Sequence, residues 1–157
     1  MDTSFQKTTA SDEWGTPWEI VHALGEFDLD PCASNENHKA PDFYTKEDDG
    51  LKQPWYGRVW CNPPYSQPAL YDFCEKMAEY GNGILLIFAR TGNKVWQEII
   101  FPKATAVLFL RRRVRFCLSD GTQAGSAGCD SALVAFGWNN VEALEKSGIE
   151  GRLVILK

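Results

Sequence analysis

The segment Asn62-Pro63-Pro64-Tyr65 is the part of the sequence best suited to chemistry. A residue before proline is restricted to extended geometry and each proline fixes its own φ, so the carbonyl groups of this loop have little freedom left to lose. The Asn62 side-chain oxygen and the Pro63 carbonyl form an acceptor pair suited to an amino group with two N–H donors. The Tyr65 ring supplies a flat surface on which a planar ring system can stack.

Such a loop predicts a reaction at the exocyclic amine of a nucleobase or at an amide. The lone pair of that nitrogen is delocalised, which makes it a poor nucleophile. Two hydrogen bonds to acceptors favour localisation of the lone pair and direct it toward an electrophile. Orientation and electrostatics then supply most of the rate acceleration, and no strong base is required. The alternative interpretation is that the four residues form only a turn that closes a strand.

Two predicted strands end at polar loops that contain proline. The strand 27–30 is followed by Pro31, and the strand 58–61 is followed by Asn62. Further strands are predicted at 84–88, 106–110, 131–136 and 153–156, and helices at 17–24, 68–79 and 94–100. This alternation is typical of an α/β fold with a mostly parallel sheet flanked by helices. Because ligands of such sheets bind outside the carboxyl ends of the strands, both loops are expected in one site.

The composition limits the class of protein. The chain has 157 residues, 44% of them hydrophobic, and a formal net charge of −5. A flexible tail, 1–12, and one compact domain, 13–157, are predicted. The charge argues against a nucleic-acid partner, because phosphate binding usually requires a basic domain. No apolar run is long enough to cross a bilayer and residues 1–11 lack the apolar core of a signal peptide, so we predict a soluble cytoplasmic protein with no membrane partner.

The five cysteines and two histidines show no spacing typical of metal ligands. The number of cysteines is odd and none of them forms a C-x-x-C pair. We therefore predict reduced cysteines that lie mostly in the core, and no metal site.

Residues 13–136, about four fifths of the chain, resemble the phage-type (Dam-like) DNA N6-adenine methyltransferases, which transfer a methyl group from S-adenosylmethionine to adenine. The most specific match is residues 62–65, which fit the D/N/S-P-P-Y/F/W loop of amino methyltransferases. Three other segments carry the resemblance: Trp14 with Thr16-Pro17, residues 29–34 and residues 44–51. The resemblance implies a compact Rossmann-like class I methyltransferase fold, with S-adenosylmethionine as cofactor and DNA as substrate.

The same resemblance assigns roles to individual residues. Asn62 and the Pro63 carbonyl accept hydrogen bonds from the target amine, Pro64 completes the loop, and Tyr65 stacks on an adenine that has been flipped out of the duplex. The residues implied in cofactor binding are Thr16, Pro17, Asp30, Pro31, Cys32, Ala33, Ser34, Asp48 and Asp49.

The sequence departs from the family pattern in two ways. The usual G-x-G turn is missing after residues 29–33, and only 32 positions separate Asp30 from Asn62. The short spacing leaves no usual position for the acidic residue that holds the cofactor ribose in this family. Asp48 and Asp49 are the candidates, because residues 49–51 resemble the loop that meets the cofactor adenine, and a solvated acidic turn explains both equally well. Thr16-Pro17 also has a purely structural interpretation, since Thr16 and Glu19 have the spacing of a helix capping box.

Four of the seven arginines lie within five residues, at Arg111, Arg112, Arg113 and Arg115. If residues 110–116 are extended, Arg111, Arg113 and Arg115 share one face, and Arg112 shares the other with Val114 and Phe116. The first group then forms a basic stripe suited to DNA phosphates or guanine edges. Arg90, which follows the strand 84–88, is expected near the same site. The alternative is that these arginines pair with the many carboxylates of this protein.

Other functions are compatible with an amine-orienting loop. The substrate would then be adenine in RNA, the N4 amine of cytosine or a glutamine amide in a protein. A catalytically inactive nucleic-acid-binding decoy is the alternative from another class. We expect a monomer or homodimer that is phage-encoded, acts in a bacterial host cell and serves to protect a genome from restriction.

Overall fold

A computed structural model describes residues 15–117, 123–126 and 128–157. The helices are α1 (Trp18–Ala23), α2 (Ala69–Tyr80), a π-helix (Val95–Ile100) that continues into α3 (Phe101–Lys103), and α4 (Trp138–Lys146). The strands are β1 (Leu29–Asp30), β2 (Asp42–Phe43), β3 (Val59–Cys61), β4 (Gly83–Phe88), β5 (Ala106–Leu110), β6 (Arg115–Cys117), β7 (Gln123–Ser126), β8 (Ser131–Phe136) and β9 (Gly151–Ile155). The predicted tail, 1–12, and Trp14 lie outside the described residues.

Seven of these strands form one mixed sheet in the order β2-β1-β3-β4-β8-β5-β9. The pairs β1–β2, β1–β3 and β3–β4 are parallel. Strand β8 lies between β4 and β5 and is antiparallel to both, and β9 is antiparallel to β5. The α/β class is therefore confirmed, whereas the mostly parallel sheet is confirmed only for the half that contains β1 to β4. Because β4 and β5 both oppose β8, their carboxyl ends lie at the same edge as that of β3.

The core lies on both faces of the sheet, as alternation in the strands requires. In β4, Leu85 and Ile87 pack on one face with α2 and the π-helix, whereas Ile84 and Leu86 pack on the other face with α1 and α4. Cys61, at the end of β3, is fully buried. The site loops therefore start from strands that are packed on both sides.

The predicted capping box is wrong. The helix begins at Trp18, its N-cap is Pro17, and no side chain makes a cap hydrogen bond. Thr16 lies one residue too early to cap the helix, and its side chain turns inward to a position that is 1% exposed. This buried hydroxyl therefore needs another explanation.

The predicted continuous strand through the arginine cluster is also wrong. β5 ends at Leu110, the chain bends at Arg111 and Arg112, and β6 resumes only at Arg115. Val114 and Phe116 are buried, whereas Arg112 is exposed and does not share their side. The bend allows Arg111 and Arg112 to face solvent, which is the more favourable environment for two adjacent guanidinium groups.

The cysteines agree in part with the sequence expectation. Cys61 and Cys74 are free and buried, and Cys32 and Cys129 are free and half-buried. No helix in the described ranges is long and apolar enough to cross a membrane. Within the same ranges no cluster of His, Cys, Asp or Glu has the arrangement of a metal site.

Candidate active site

Asp30, at the carboxyl end of β1, holds the loop that follows it. Its Oδ1 atom accepts a hydrogen bond from the Cys32 backbone N–H at 3.2 Å, and Oδ2 accepts one from the Lys39 N–H at 2.9 Å. The residue is only 4% exposed, and this burial raises its pKa to about 6 in spite of the two backbone donors. With both oxygens engaged by the loop, Asp30 has a positioning role in the geometry of the site.

The ends of β1, β2 and β3 meet through short-range contacts. The Tyr44 N–H donates to the Asp30 carbonyl, and the Ala33 N–H donates to the Tyr44 carbonyl, both at 3.0 Å. The Cys32 and Cys61 sulfur atoms are 3.6 Å apart. Burial and the nearby Cys61 thiol raise the pKa of Cys32, which keeps it protonated at neutral pH. The structure thus brings residues 30–34 next to the strand that leads into Asn62.

The Asn62 amide is held between two hydroxyl groups. Its Nδ2 donates to Thr16 Oγ1 at 3.3 Å, and its Oδ1 accepts a hydrogen bond from the Tyr65 hydroxyl at 2.8 Å. Asn62 itself is half-buried, whereas Pro63 is buried. The segment before α1 therefore contacts the 62–65 loop directly through Thr16, which the sequence did not predict.

Tyr65 belongs to a group of three aromatic rings. Its ring stacks on Phe88 with centroids 4.3 Å apart and an interplanar angle of 21°, and meets the Phe116 ring edge-on at 6.3 Å. Phe88 and Phe116 are perpendicular to each other. Burial raises the pKa of the Tyr65 hydroxyl, so this group stays a neutral donor to Asn62. The stack on Phe88 occupies one face of the tyrosine ring, which leaves at most the other face for a substrate.

The two acidic residues after β2 have different environments. Asp48 Oδ2 accepts hydrogen bonds from the Thr45 N–H at 2.8 Å and from its hydroxyl at 3.0 Å, so it stabilises the turn. Asp49 has a φ of +62°, which is unfavourable outside glycine. Its carboxylate is 3.8 Å from Lys52, an exposed pair. The Asp48 carboxylate therefore accepts hydrogen bonds within the turn, whereas in the part of the chain that the structure describes the Asp49 carboxylate has only the exposed contact with Lys52.

Gly50 places this turn against the β1 loop. A Cβ at this position would collide with the Pro31 carbonyl oxygen, so only glycine permits the approach. The Lys76 ammonium group on α2 anchors the segment that follows, donating to the Leu51 carbonyl at 2.8 Å and the Gln53 carbonyl at 2.6 Å. Partial burial lowers the pKa of Lys76. Sequence reasoning missed Lys76, because a single lysine on an amphipathic helix belongs to no motif.

The arginines divide into two groups. Arg112 forms an ion pair with Glu150 at 3.2 Å and Arg113 forms one with Asp130 at 3.3 Å, and all four side chains are more than half exposed. Arg90, Arg111 and Arg115 are exposed as well, and in the ranges that the structure describes none of these three pairs with a carboxylate.

Arg90 and Arg115 flank the aromatic group. The Arg90 guanidinium carbon is 5.5 Å from the centre of the Phe88 ring, and Arg115 directly precedes Phe116. Sequence reasoning missed Phe88 and Phe116 as parts of the site. Phe88 ends the apolar run of β4 and Phe116 alternates with the arginines, so the sequence pattern predicts only that both are core residues. Their place in the site is shown by the contacts that both rings make with Tyr65.

The site thus brings the 62–65 loop at the end of β3 together with the loops that follow β1 and β2, as the resemblance to amino methyltransferases predicts. A family model, DNA N-6-adenine-methyltransferase (Dam), matches residues 3–147. The chain belongs to this family, and the prediction of adenine-specific DNA methyltransferase activity is confirmed by that membership.

Curated relatives support the same assignment. The DNA N-6-adenine-methyltransferase of Haemophilus phage HP1 is 29% identical over 118 residues, which cover 70% of this chain and 68% of the relative. The enzyme of the same name from Escherichia phage T1 is 37% identical over 108 residues, which cover 63% of this chain and 44% of the relative. No solved structure matches the chain.

Proposed function

We propose that the chain binds S-adenosylmethionine at the carboxyl ends of β1, β2 and β3 and methylates the N6 amine of an adenine that DNA presents to the 62–65 loop. The observation that carries this proposal is the Asn62 amide, held in place at the end of β3 by hydrogen bonds to Thr16 and Tyr65. An amide fixed in this way is suited to orient an amine rather than to remove its proton.

The residues of the loop act by orientation. Asn62 Oδ1 accepts a hydrogen bond from the Tyr65 hydroxyl, and an amide oxygen can accept two hydrogen bonds. We assign this oxygen and the Pro63 carbonyl oxygen to the two N6 hydrogens of adenine. The two bonds aim the nitrogen lone pair at the electrophilic methyl group that S-adenosylmethionine supplies when bound. The acceptors take no proton, so the methylated nitrogen releases one to solvent.

The residues around the β1 end fit the cofactor. The β1 loop, 31–34, lies against Gly50, and Asp49 beside it offers a half-buried carboxylate in a strained backbone conformation. Strain of this kind persists where the surroundings fix it, and it is frequent at binding sites. We assign Asp49 to the ribose hydroxyls and the 31–34 loop to the methionine part. Asp30 holds this loop, and Asp48 shapes the turn that presents Asp49.

Two of the unpaired arginines lie at the edge of the sheet that carries Asn62. Arg90 follows β4, the direct neighbour of β3, and Arg111 follows β5, which is three strand positions from β3. At the usual spacing between strands, these three positions span about 14 Å. Arg115 lies in β6, outside this sheet, and precedes Phe116, whose ring meets that of Tyr65. These positions support the assignment of the three arginines to the DNA backbone.

Transfer of a labelled methyl group tests the proposal. The protein is incubated with labelled S-adenosylmethionine and either duplex DNA or RNA, and nucleosides are then separated. We expect label in N6-methyladenine from DNA, loss of transfer in Asn62→Ala, and retention of cofactor binding in that variant. Label in cytosine, or full activity of Asn62→Ala, would overturn the assigned mechanism.

A further inference from the structure

The buried hydroxyl of Thr16 has no role in the helix that follows it. The residue is 1% exposed, and α1 starts two residues later without any side-chain cap. Burying a hydroxyl group is unfavourable unless the group is hydrogen-bonded. The partner that the structure shows is Asn62 Nδ2 at 3.3 Å. Thr16 is therefore placed to act on the amide of the 62–65 loop.

The two ends of an asparagine side chain are nearly the same in shape but opposite in hydrogen bonding. The oxygen accepts and the nitrogen donates, so an amide rotated by half a turn would present a donor to the target amine and repel it. The O···O contact of 2.8 Å from Tyr65 has a usual length for a hydrogen bond, whereas the N···O contact of 3.3 Å to Thr16 is slightly longer than usual. The structure places the nitrogen end of the amide at Thr16 and the oxygen end at Tyr65.

We propose that Thr16 is a positioning residue for methyl transfer, which holds the Asn62 side chain at the end of β3 where its oxygen can accept a hydrogen bond from the target amine. This inference rests on the proposed catalytic role of Asn62. It differs from the cofactor contact that the family resemblance implies for Thr16, because it places the effect on the rate of transfer and not on cofactor affinity.

Two substitutions at Thr16 separate these roles. Thr16→Val keeps the shape of the side chain and removes the oxygen, whereas Thr16→Ser keeps the oxygen. We expect Thr16→Val to lower the transfer rate at saturating DNA and cofactor by about 10- to 100-fold, as small misplacements of a reacting group do. The cofactor Kd, measured by calorimetry, should stay within about twofold of wild type. Thr16→Ser should recover most of the rate.

The outcomes also separate this inference from the proposed function. A raised cofactor Kd with an unchanged rate in Thr16→Val would make Thr16 a cofactor ligand and overturn the proposal. A wild-type rate in Thr16→Val, together with an inactive Asn62→Ala, would also overturn it. Full activity of Asn62→Ala would instead contradict the catalytic assignment itself. Thermal melting checks the fold of each variant. If Thr16→Val does not fold, Thr16→Ala is measured against Thr16→Ser in the same way.

A double-mutant cycle adds a readout that a purely structural role would not change. If Thr16 acts through the Asn62 amide, Thr16→Val should cause no further loss of rate in an Asn62→Ser background, which keeps a residue type that the D/N/S-P-P loop allows. Additive losses in the double variant would show that Thr16 acts on something other than the amide, and would overturn the proposal.

Discussion

Replacement of Arg115 by glutamine tests whether the rim of the site contacts DNA phosphates. Arg115 is exposed, precedes Phe116 of the aromatic group, and has no carboxylate partner in the described part of the chain. Arg112, three residues earlier, is also exposed but is paired with Glu150 at 3.2 Å. Arg112→Gln is therefore a matched control, because it removes the same charge from the same segment at a site where that charge is already neutralised.

The size of the effect follows from the number of unpaired arginines. Each phosphate contact contributes about 0.9 to the slope of log affinity against log salt, so contacts from Arg90, Arg111 and Arg115 give a slope of about −2.7. Affinity then falls about 40-fold between 50 and 200 mM salt in the wild type and about 12-fold in Arg115→Gln. Arg112→Gln should keep the wild-type slope.

Fluorescence anisotropy of a labelled duplex at four salt concentrations measures these slopes. S-adenosylhomocysteine is included so that no transfer takes place during the titration. Equal slopes for the wild type and Arg115→Gln would refute a phosphate contact by Arg115. Equal reductions in both variants would show that the net charge of the segment matters, and not the position of the unpaired side chain.

Three further predictions concern the elements that hold the site. Lys76→Met should lower the free energy of unfolding in urea by about 2 kcal/mol, because two carbonyls lose a charged donor. Lys146→Met, which removes an exposed ion pair, should have little effect on this free energy. Equal losses of stability in the two variants would show that the Lys76 hydrogen bonds do not anchor the segment after Gly50. Burial raises the pKa of Asp30 from 3.8 to about 6, so this group is protonated more readily in the folded state than in the unfolded state. The stability of the wild type relative to Asp30→Asn should therefore fall by about 2 kcal/mol as pH rises from 4 to 7. Urea melts give the free energy of unfolding at each pH, and parallel curves for the wild type and Asp30→Asn would exclude this effect of Asp30. In the native protein, Cys74 should react with iodoacetamide more slowly than Cys129, and mass spectrometry showing equal rates would place Cys74 nearer the surface.

The sequence was sufficient for the elements that local patterns determine. β5 has the predicted bounds, and β3, β4 and α2 agree with the prediction to within one residue at each end. The 62–65 loop follows β3 as predicted, since two prolines restrict the chain whatever its surroundings. Local patterning decides these elements because each of these strands is a short apolar run and the buried residues of α2 recur on one helix face.

Features set by contacts between distant residues could not be predicted. The position of β8 between β4 and β5 depends on pairing across the whole sheet, and strand periodicity does not reveal direction. Thr16 and Glu19 have the spacing of a capping box, yet Thr16 bonds to Asn62, 46 residues away. For Thr16, a tertiary contact outweighs a local capping preference of about 1 kcal/mol.

The net charge of −5 and the DNA substrate are reconciled by where the charges lie. Acidic residues line the outer faces of two helices, with Asp72, Glu75 and Glu79 on α2 and Glu142 and Glu145 on α4. Of the unpaired arginines, Arg90 and Arg111 follow β4 and β5 at the edge that carries Asn62, and Arg115 precedes Phe116 of the aromatic group. Extruding a base from the duplex costs a few kcal/mol. The proposed phosphate contacts are few, so we expect the binding of the base within the 62–65 loop to supply much of that free energy. The hydrogen bonds that hold the Asn62 amide should then affect the affinity for DNA as well as the rate of methylation.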